Sequence, residues 1–257
     1  MKHLQFDFKT EHTFSGSITN HSFSLRCLPF SDSRQTISET RYIVTPSESL
    51  WNSRDSFGNQ LLCGRISAEH NSLMFNVVCD AYVKNTDRIC GTAETFFRFP
   101  SAMTVPGNGI TAFYRSIPFS SSDTVKRALL ISELLSGHMK YERGFTDVST
   151  DAETAFMLGK GVCQDYVHVF LALLRLDGIC CRYVSGLAFE SGETHAWAEF
   201  HNGEQWVAFD PTNNIPVTDN YIKFCHGRDY SDCPIERGIY LGGFGGSLSV
   251  SSKVTTL

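Results

Sequence analysis

The chain has 257 residues, 42% hydrophobic and 19% charged, with 22 Lys+Arg against 27 Asp+Glu for a formal net charge of −5. That length and apolar content support a globular protein of one large domain or two modest ones. The acidic balance, with no Lys/Arg cluster, argues against nucleic acid and anionic membrane surfaces as partners.

The N-terminus, MKHLQFDFKTEHTF, alternates polar and apolar residues in place of the unbroken apolar run of a secretory signal. No later stretch has the length of a membrane span, so the expected compartment is the cytoplasm. The nine cysteines (27, 63, 79, 90, 163, 180, 181, 225 and 233) are odd in number and include no CxxC pair. Neither zinc nor a redox couple is indicated, and no cofactor is expected. Cys27, Cys79 and Cys180 sit in apolar strand-like runs, where a free thiol acts as a small hydrophobe. Cys163 alone has a different context.

From residue 1 to about 100 the apolar pattern has period two in short bursts bounded by turn residues, which predicts strands. Leu4, Phe6 and Phe8 form one burst, and Phe23, Leu25 and Cys27 a second. Tyr42 to Val44 continues the pattern, Asp55 to Asn59 reads as a hairpin turn, and Leu73, Phe75 and Val77 alternate before Tyr82 and Val83. Several short antiparallel strands at this spacing predict a β-sandwich over residues 1–105. His3, His12, His21 and His70 are scattered singly and read as surface or structural residues. Asn20-His21-Ser22 is a glycosylation sequon only by chance if no signal peptide exports the chain.

The Pro-, Gly- and Ser-rich stretch from Pro100 to Pro118 marks the expected boundary with a second domain, residues 106–257. Ser122-Asp123 caps a predicted helix carrying Val125, Ala128, Leu129, Ser132, Leu135 and Met139. Thr150-Asp151-Ala152-Glu153 has a capping-box pattern for a shorter helix over Ala152 to about Leu158, which Gly159 and Gly161 end. A third helix opens at Cys163, carries Val167, Phe170, Leu171 and Leu174 on one face, and ends at Gly178. Strand-like runs follow over Ile179–Phe189, His195–Phe200 and Gln205–Phe209, then a loop-rich tail with the alternating stretch Leu248–Val254. The fold class is α+β.

Three residues in this half suggest a site. Asn202-Gly203 is the favoured pair for a two-residue type I′ hairpin turn. Such a turn pairs His201 with Glu204, Trp197 with Ala208 and, at the far end, His195 with Asp210, where directly opposed Cβ atoms lie about 4.5–5.5 Å apart. The other face of the hairpin, with Ala196, Ala198, Phe200, Val207 and Phe209, is expected to pack on a helix, and the helix after Cys163 is the obvious one. A thiol at a helix N-terminus is favoured as thiolate by the exposed amides and the dipole. His195 would take and return a proton, Asp210 would orient it, and the Cys163 amide would donate to an oxyanion. Taken singly, each residue has an ordinary structural explanation; together they suit acyl transfer through a thioester. A metal site built from the same three is the rival, and it lacks a local ligand pair.

Several neighbours look less telling. Asp165, Tyr166 and His168 follow Cys163 on the helix and read as structural. Trp197 and Trp206 flank the proposed site, with packing the better reading. Gly242-Gly243-Phe244-Gly245-Gly246 precedes a strand-like run and reads as a flexible turn, not a phosphate loop.

The blocks Gly161-Val162-Cys163-Gln164-Asp165, Leu173-Leu174-Arg175, Arg182 to Gly186, His195-Ala196-Trp197-Ala198-Glu199, Trp206 to Asn213 and Gly227 to Asp232 resemble the bacterial transglutaminase-like superfamily. The resemblance takes in the strand-rich first half as well. It implies a papain-like core with a Cys-His-Asp triad at Cys163, His195 and Asp210, and members described as cysteine proteases. Cys180-Cys181 stands where relatives usually carry Pro-Ala. The expected activity is therefore a metal-independent, cysteine-dependent amide or peptide hydrolase acting on a peptide or protein. Acyl transfer to an amine and a binding module with a relic triad are the alternatives.

Overall fold

The computed structural model describes residues 1–189, 192–243 and 245–257. Its first sheet is organised around one strand, β1 (Lys2–Leu25), which the sequence pattern reads as two. Buried side chains occupy even positions at Leu4, Phe6, Phe8, Phe14 and Ile18, then odd ones at His21, Phe23 and Leu25. The phase changes at Asn20, whose φ of 49° is left-handed, and the pairing register shifts between Thr19 and Ser22. This bulge keeps apolar side chains turned inward along a strand too long to stay in one phase.

Four strands follow in the first half, β2 (Gln35–Thr45), β3 (Ser49–Arg54), β4 (Gln60–Ile66) and β5 (His70–Val83). Two more come from the end of the chain, β14 (Glu236–Gly242) and β15 (Gly246–Thr256). The first part of β1 lies between β5 and β15, and its second part between β4 and β14. β2 extends the sheet beyond β5, and β3 beyond β4. The two facing sheets of a sandwich are thus replaced by one hydrogen-bonded sheet of seven strands. The cause is the continuity of β1, which pairs on both sides along its length. The Asp55–Asn59 turn does join β3 to β4, with the Asp55 carboxylate accepting from the Phe57 and Asn59 amides at 3.0 Å each.

The chain crosses the expected division near residue 105 in both directions. β6 (Arg88–Ile89) joins the second sheet, while β14 and β15 return to the first. The Pro- and Gly-rich stretch itself holds a helix, α1 (Asn108–Ser116). Its N-terminal amides are satisfied from outside: the Glu153 carboxylate accepts from Gly107, Gly109 and Ile110 at 2.9, 2.6 and 3.1 Å, a charge suited to that end of a helix. Asp123 caps α2 (Thr124–His138) and Asp151 caps α3 (Ala152–Leu158), each through its carboxylate at 2.8 Å. Gly159, at φ 62°, closes α3. A short parallel pair, β7 (Lys140–Tyr141) and β8 (Lys160–Gly161), leads into α4 (Cys163–Leu176).

The second sheet contains β9 (Cys181–Ala188), β10 (Thr194–His201), β11 (Trp206–Asp210), β12 (Ile215–Pro216) and β13 (Tyr221–Gly227). Their order is β12-β11-β10-β9-β13, with β6 alongside β11. α4 packs on one face: Val167, Phe170, Leu171 and Leu174 share a core with Ala196, Ala198, Phe200, Val207 and Phe209. The Phe170 ring lies 6.1 Å from Phe209 and 6.5 Å from Phe200. Trp197 and Trp206 lie on the opposite face, buried with Val184, Ala208, Ile89 and Phe97, so both are packing residues.

Charge is buried on the second sheet. Glu199 accepts from Lys223 at 2.9 and 2.8 Å and from Arg182 at 2.7 Å, and the Arg182 guanidinium sits 4.0 Å from the Trp206 ring centroid. Burial opposes ionisation of Glu199, but the two cations outweigh it and hold its carboxyl at about 2. Beside this cluster, Arg34 donates to the carbonyls of Thr218 and Tyr221 at 3.0 and 2.8 Å, and the Gln35 carboxamide donates to the Lys223 carbonyl and accepts from its amide, both at 2.9 Å. These bonds fasten the entry to β2 onto β13. Arg34→Ala removes the buried bond to the Tyr221 carbonyl and the part-buried one to Thr218, and should destabilise the chain by about 1–3 kcal/mol. Urea unfolding checks this; a loss below about 0.5 kcal/mol, the scale of an ordinary surface change, would contradict it.

Candidate active site

Cys163 is the first residue of α4, and the preceding Val162 is extended. Asp165 sets this turn: its Oδ2 accepts from the Val162 amide and from the Thr146 hydroxyl, both at 2.7 Å. At the other end of α4, Gly178 takes φ 73°, and the amides of Gly178 and Ile179 bond back to Arg175 and Leu174. The helix is therefore fixed at both ends, and Cys163 is partly exposed at the amide-rich one.

His195 stands near the start of β10, opposite Gly186 on β9. Only a glycine fits there, since a Cβ at Gly186 would lie 2.0 Å from the Ile222 carbonyl oxygen and 2.6 Å from the Trp197 ring. Asp210 ends β11 with its side chain fully buried. The two side chains meet, with His195 Nε2 2.7 Å from Asp210 Oδ2.

They meet by a different route from the one the turn implies. The observed cross-strand pairs are His201 with Trp206, Phe200 with Val207, Glu199 with Ala208 and Ala198 with Phe209. Residues Asn202 to Gln205 form the connection, the Asn202 carboxamide oxygen accepting from the Glu204 and Gln205 amides at 3.0 and 2.9 Å. This longer loop moves the register by two residues, so His195 and Asp210 are not direct partners. An even shift leaves every side chain on its face, and the imidazole reaches the carboxylate diagonally.

Asp210 accepts more than the histidine. Tyr221 Oη and Asn213 Nδ2 donate to Oδ2 at 2.8 and 2.7 Å, and the amides of Thr212 and Asn213 donate to Oδ1 at 2.9 and 3.3 Å. Burial alone would raise its pKa, but the bond and charge of His195, with Asn213 and Tyr221, hold it below the usual carboxylate range. Burial lowers the pKa of His195, yet the hydrogen bond to Asp210 and the charges of Asp210 and Cys163 raise it to about 10. Cys163 and His195 line one cavity of about 360 Å³, with Gln164, Tyr141, Arg143 and Glu193 around it.

Tyr221 and Asn213 were not legible as site residues. Asn213 carries a faint signal, because Asp210-Pro211 announces a turn whose amides fold back on the aspartate; Tyr221 carries none. The remaining residues singled out in the sequence lie elsewhere. His168 is buried, accepts from the Tyr230 amide at 3.1 Å, and is pushed down to about 4 by burial. His21 and His70 bond each other at 3.2 Å, and His12 pairs with Glu236 at 3.1 Å. All nine cysteines are free. Among the described residues no cluster of His, Cys, Asp and Glu has metal-binding geometry, and no helix is long and apolar enough to cross a membrane. In the glycine run between β14 and β15, Gly242, Gly243 and Gly245 take positive φ as a turn requires; Phe244 lies outside the described residues.

Residues 112–211 match the Transglutaminase-like superfamily core, and residues 4–82 match the Bacterial transglutaminase-like N-terminal region. Uncharacterized protein ML0607 of Mycobacterium leprae (strain TN) is 27% identical over 271 residues, covering 96% of each chain. Uncharacterized protein Rv2569c of Mycobacterium tuberculosis (strain ATCC 25618 / H37Rv) is 27% identical over 269 residues, covering 90% of this chain and 85% of its own. The crystal structure of a "Putative Cysteine Protease from Cytophaga hutchinsonii" shares the fold, with TM-score 0.81 at 19% identity over 100% of this chain and 92% of that one. The two family matches, which together span most of the chain, show that it belongs to the transglutaminase-like superfamily, with the bacterial N-terminal region ahead of the core.

Proposed function

We propose that this chain is a cysteine-dependent amide or peptide hydrolase in which Cys163 is the nucleophile, His195 the general acid and base, and Asp210 the residue that orients His195. The observation that carries this reading is the presence of Cys163 and His195 on one cavity, with His195 Nε2 bonded to a buried carboxylate. Asp210 takes Nε2, which leaves Nδ1 for the thiol. The first amide of a helix has no partner within it, so the Cys163 N–H is free to donate to an oxyanion.

The reaction then runs in two halves. The Cys163 sulfur attacks the amide carbon, and the tetrahedral intermediate collapses as His195 gives its proton to the departing amine. A thioester remains. Water, deprotonated by His195, attacks that carbon; the carboxylic acid leaves, and the proton returns to the thiol. Protein side chains and water supply every group required. The name given to the Cytophaga hutchinsonii protein supports the protease branch of this chemistry. A cytoplasmic setting, where thiols stay reduced, suits a chain with nine free cysteines.

Two outcomes follow from the site. Burial pushes Cys79 up to about 12 and Cys181 to about 11, and Cys27, Cys63, Cys180 and Cys233 also rise. Iodoacetamide at pH 6 should therefore modify Cys163 at least about tenfold faster than any of these six thiols, with the fast phase absent in Cys163→Ala. Peptide mapping that finds Cys163 no faster than its neighbours would rule out an activated nucleophile.

The second concerns stability. The folded pKa of His195 lies above its unfolded value, so its stabilising effect is complete below roughly pH 6.5 and is lost as pH rises through about 10. The folded pKa of Asp210 lies below its unfolded value, so its effect is present above roughly pH 4 and is lost as pH falls through the depressed value. The difference in urea midpoint between wild type and His195→Gln should be largest near pH 6 and shrink by pH 10. A difference that stays constant over that interval would show that no raised histidine pKa exists.

A further inference from the structure

A second cavity, of about 560 Å³, adjoins the first. Tyr141 and His195 line both, but Cys163 lines only the first. In thioester chemistry the two sides of the scissile bond part at this point: the acyl carbon stays on sulfur, and the amine leaves with the imidazole proton. A cavity that touches the imidazole but not the sulfur faces the amine. We infer that the second cavity binds the leaving-group side of the substrate and selects an uncharged aromatic or aliphatic residue there, in preference to lysine. The inference rests on the hydrolase reading and adds a substrate class to it.

The walls support that choice. Phe189, Ile215 and Ala188 supply apolar surface, and Thr218 and Asn220 supply polar groups suited to a peptide backbone. Among the described residues lining it, none is Asp, Glu, Lys or Arg. A positive charge lies beside two of the lining residues: the Lys2 ammonium, carried in on β1, lies 4.6 Å from the Phe189 ring centroid and donates to Asn220 Oδ1 at 2.6 Å. An incoming lysine would shed water without meeting a carboxylate among the described lining residues and would lie near a like charge. A neutral apolar side chain would instead cover Phe189 and Ile215. The first cavity differs, being bordered by the Arg143–Glu193 ion pair at 2.9 Å. The same argument disfavours a lysine amine as acyl acceptor, so water completes the reaction.

The test is a peptide mixture varied at the residue on the amine side of the bond, incubated with wild type, Cys163→Ala, Lys2→Glu and Ile215→Asp, with products read by mass spectrometry. Wild type should cut before Phe, Leu, Ile or Tyr with kcat/KM at least about tenfold above that for Lys, in a Cys163-dependent manner. Ile215→Asp places a carboxylate in the cavity lining and Lys2→Glu one beside it, and each should narrow the preference by about threefold or more. Ile215 is 42% exposed and lies on a different element from Lys2, so the two variants check each other if one folds poorly. Cleavage that accepts lysine as readily as leucine, or variants with unchanged discrimination, would overturn the assignment and leave the hydrolase reading standing, whereas adducts of lysine in place of cleavage would overturn both. An absence of Cys163-dependent cleavage throughout would overturn the hydrolase reading, and the assignment with it.

Discussion

A buried carboxylate organises this molecule. Asp210 is fully enclosed and accepts five hydrogen bonds, from the His195 ring, the Tyr221 hydroxyl, the Asn213 carboxamide and two turn amides. A charge in that position is tolerable only when its lone pairs are occupied. The donors come from β10, β13 and the turn after β11, so satisfying the charge fixes three pieces of the second sheet relative to one another. One consequence is functional: the imidazole is held on one nitrogen, and its other nitrogen is directed by the same bond.

The first sheet enters through that network. Tyr221 reaches Asp210 from β13, and β13 is pinned by Arg34 and Gln35 at the start of β2. Lys2, at the start of β1, adds its contact with Asn220 just ahead of β13. β14 and β15 close the circuit by returning to β1. The N-terminal region therefore supports the side of the site that holds the histidine, while α4 presents the cysteine from the other.

Much of this was legible in the sequence, and the failures have physical causes. The placement of Cys163 followed from Gly161, the apolar face of α4 and Gly178, all local signals. The shared face of His195 and Asp210 followed from period-two alternation, which survives an even register shift. The register itself depended on loop length, and Asn202-Gly203 alone does not distinguish a two-residue turn from the longer connection that Gln205 closes. β1 looked like two strands because its buried face changes phase at Asn20. α1 was hidden by the prolines and glycines around it, since its cap is Glu153, a residue far along the chain. Tyr221 and Arg34 act only through tertiary contacts, and no pattern near them marks either.

The central claim is that Cys163 carries the acyl group during turnover. The most direct measurement is intact-mass and peptide-mapping analysis of the enzyme quenched in acid while it turns over a cleaved peptide. The account expects a mass increase equal to the acyl fragment on the Cys163 peptide, absent from Cys163→Ala and accumulating more slowly in His195→Gln. Substrate turnover by a protein that stays unmodified at Cys163 across the time course, or that carries the acyl group on another residue, would contradict it.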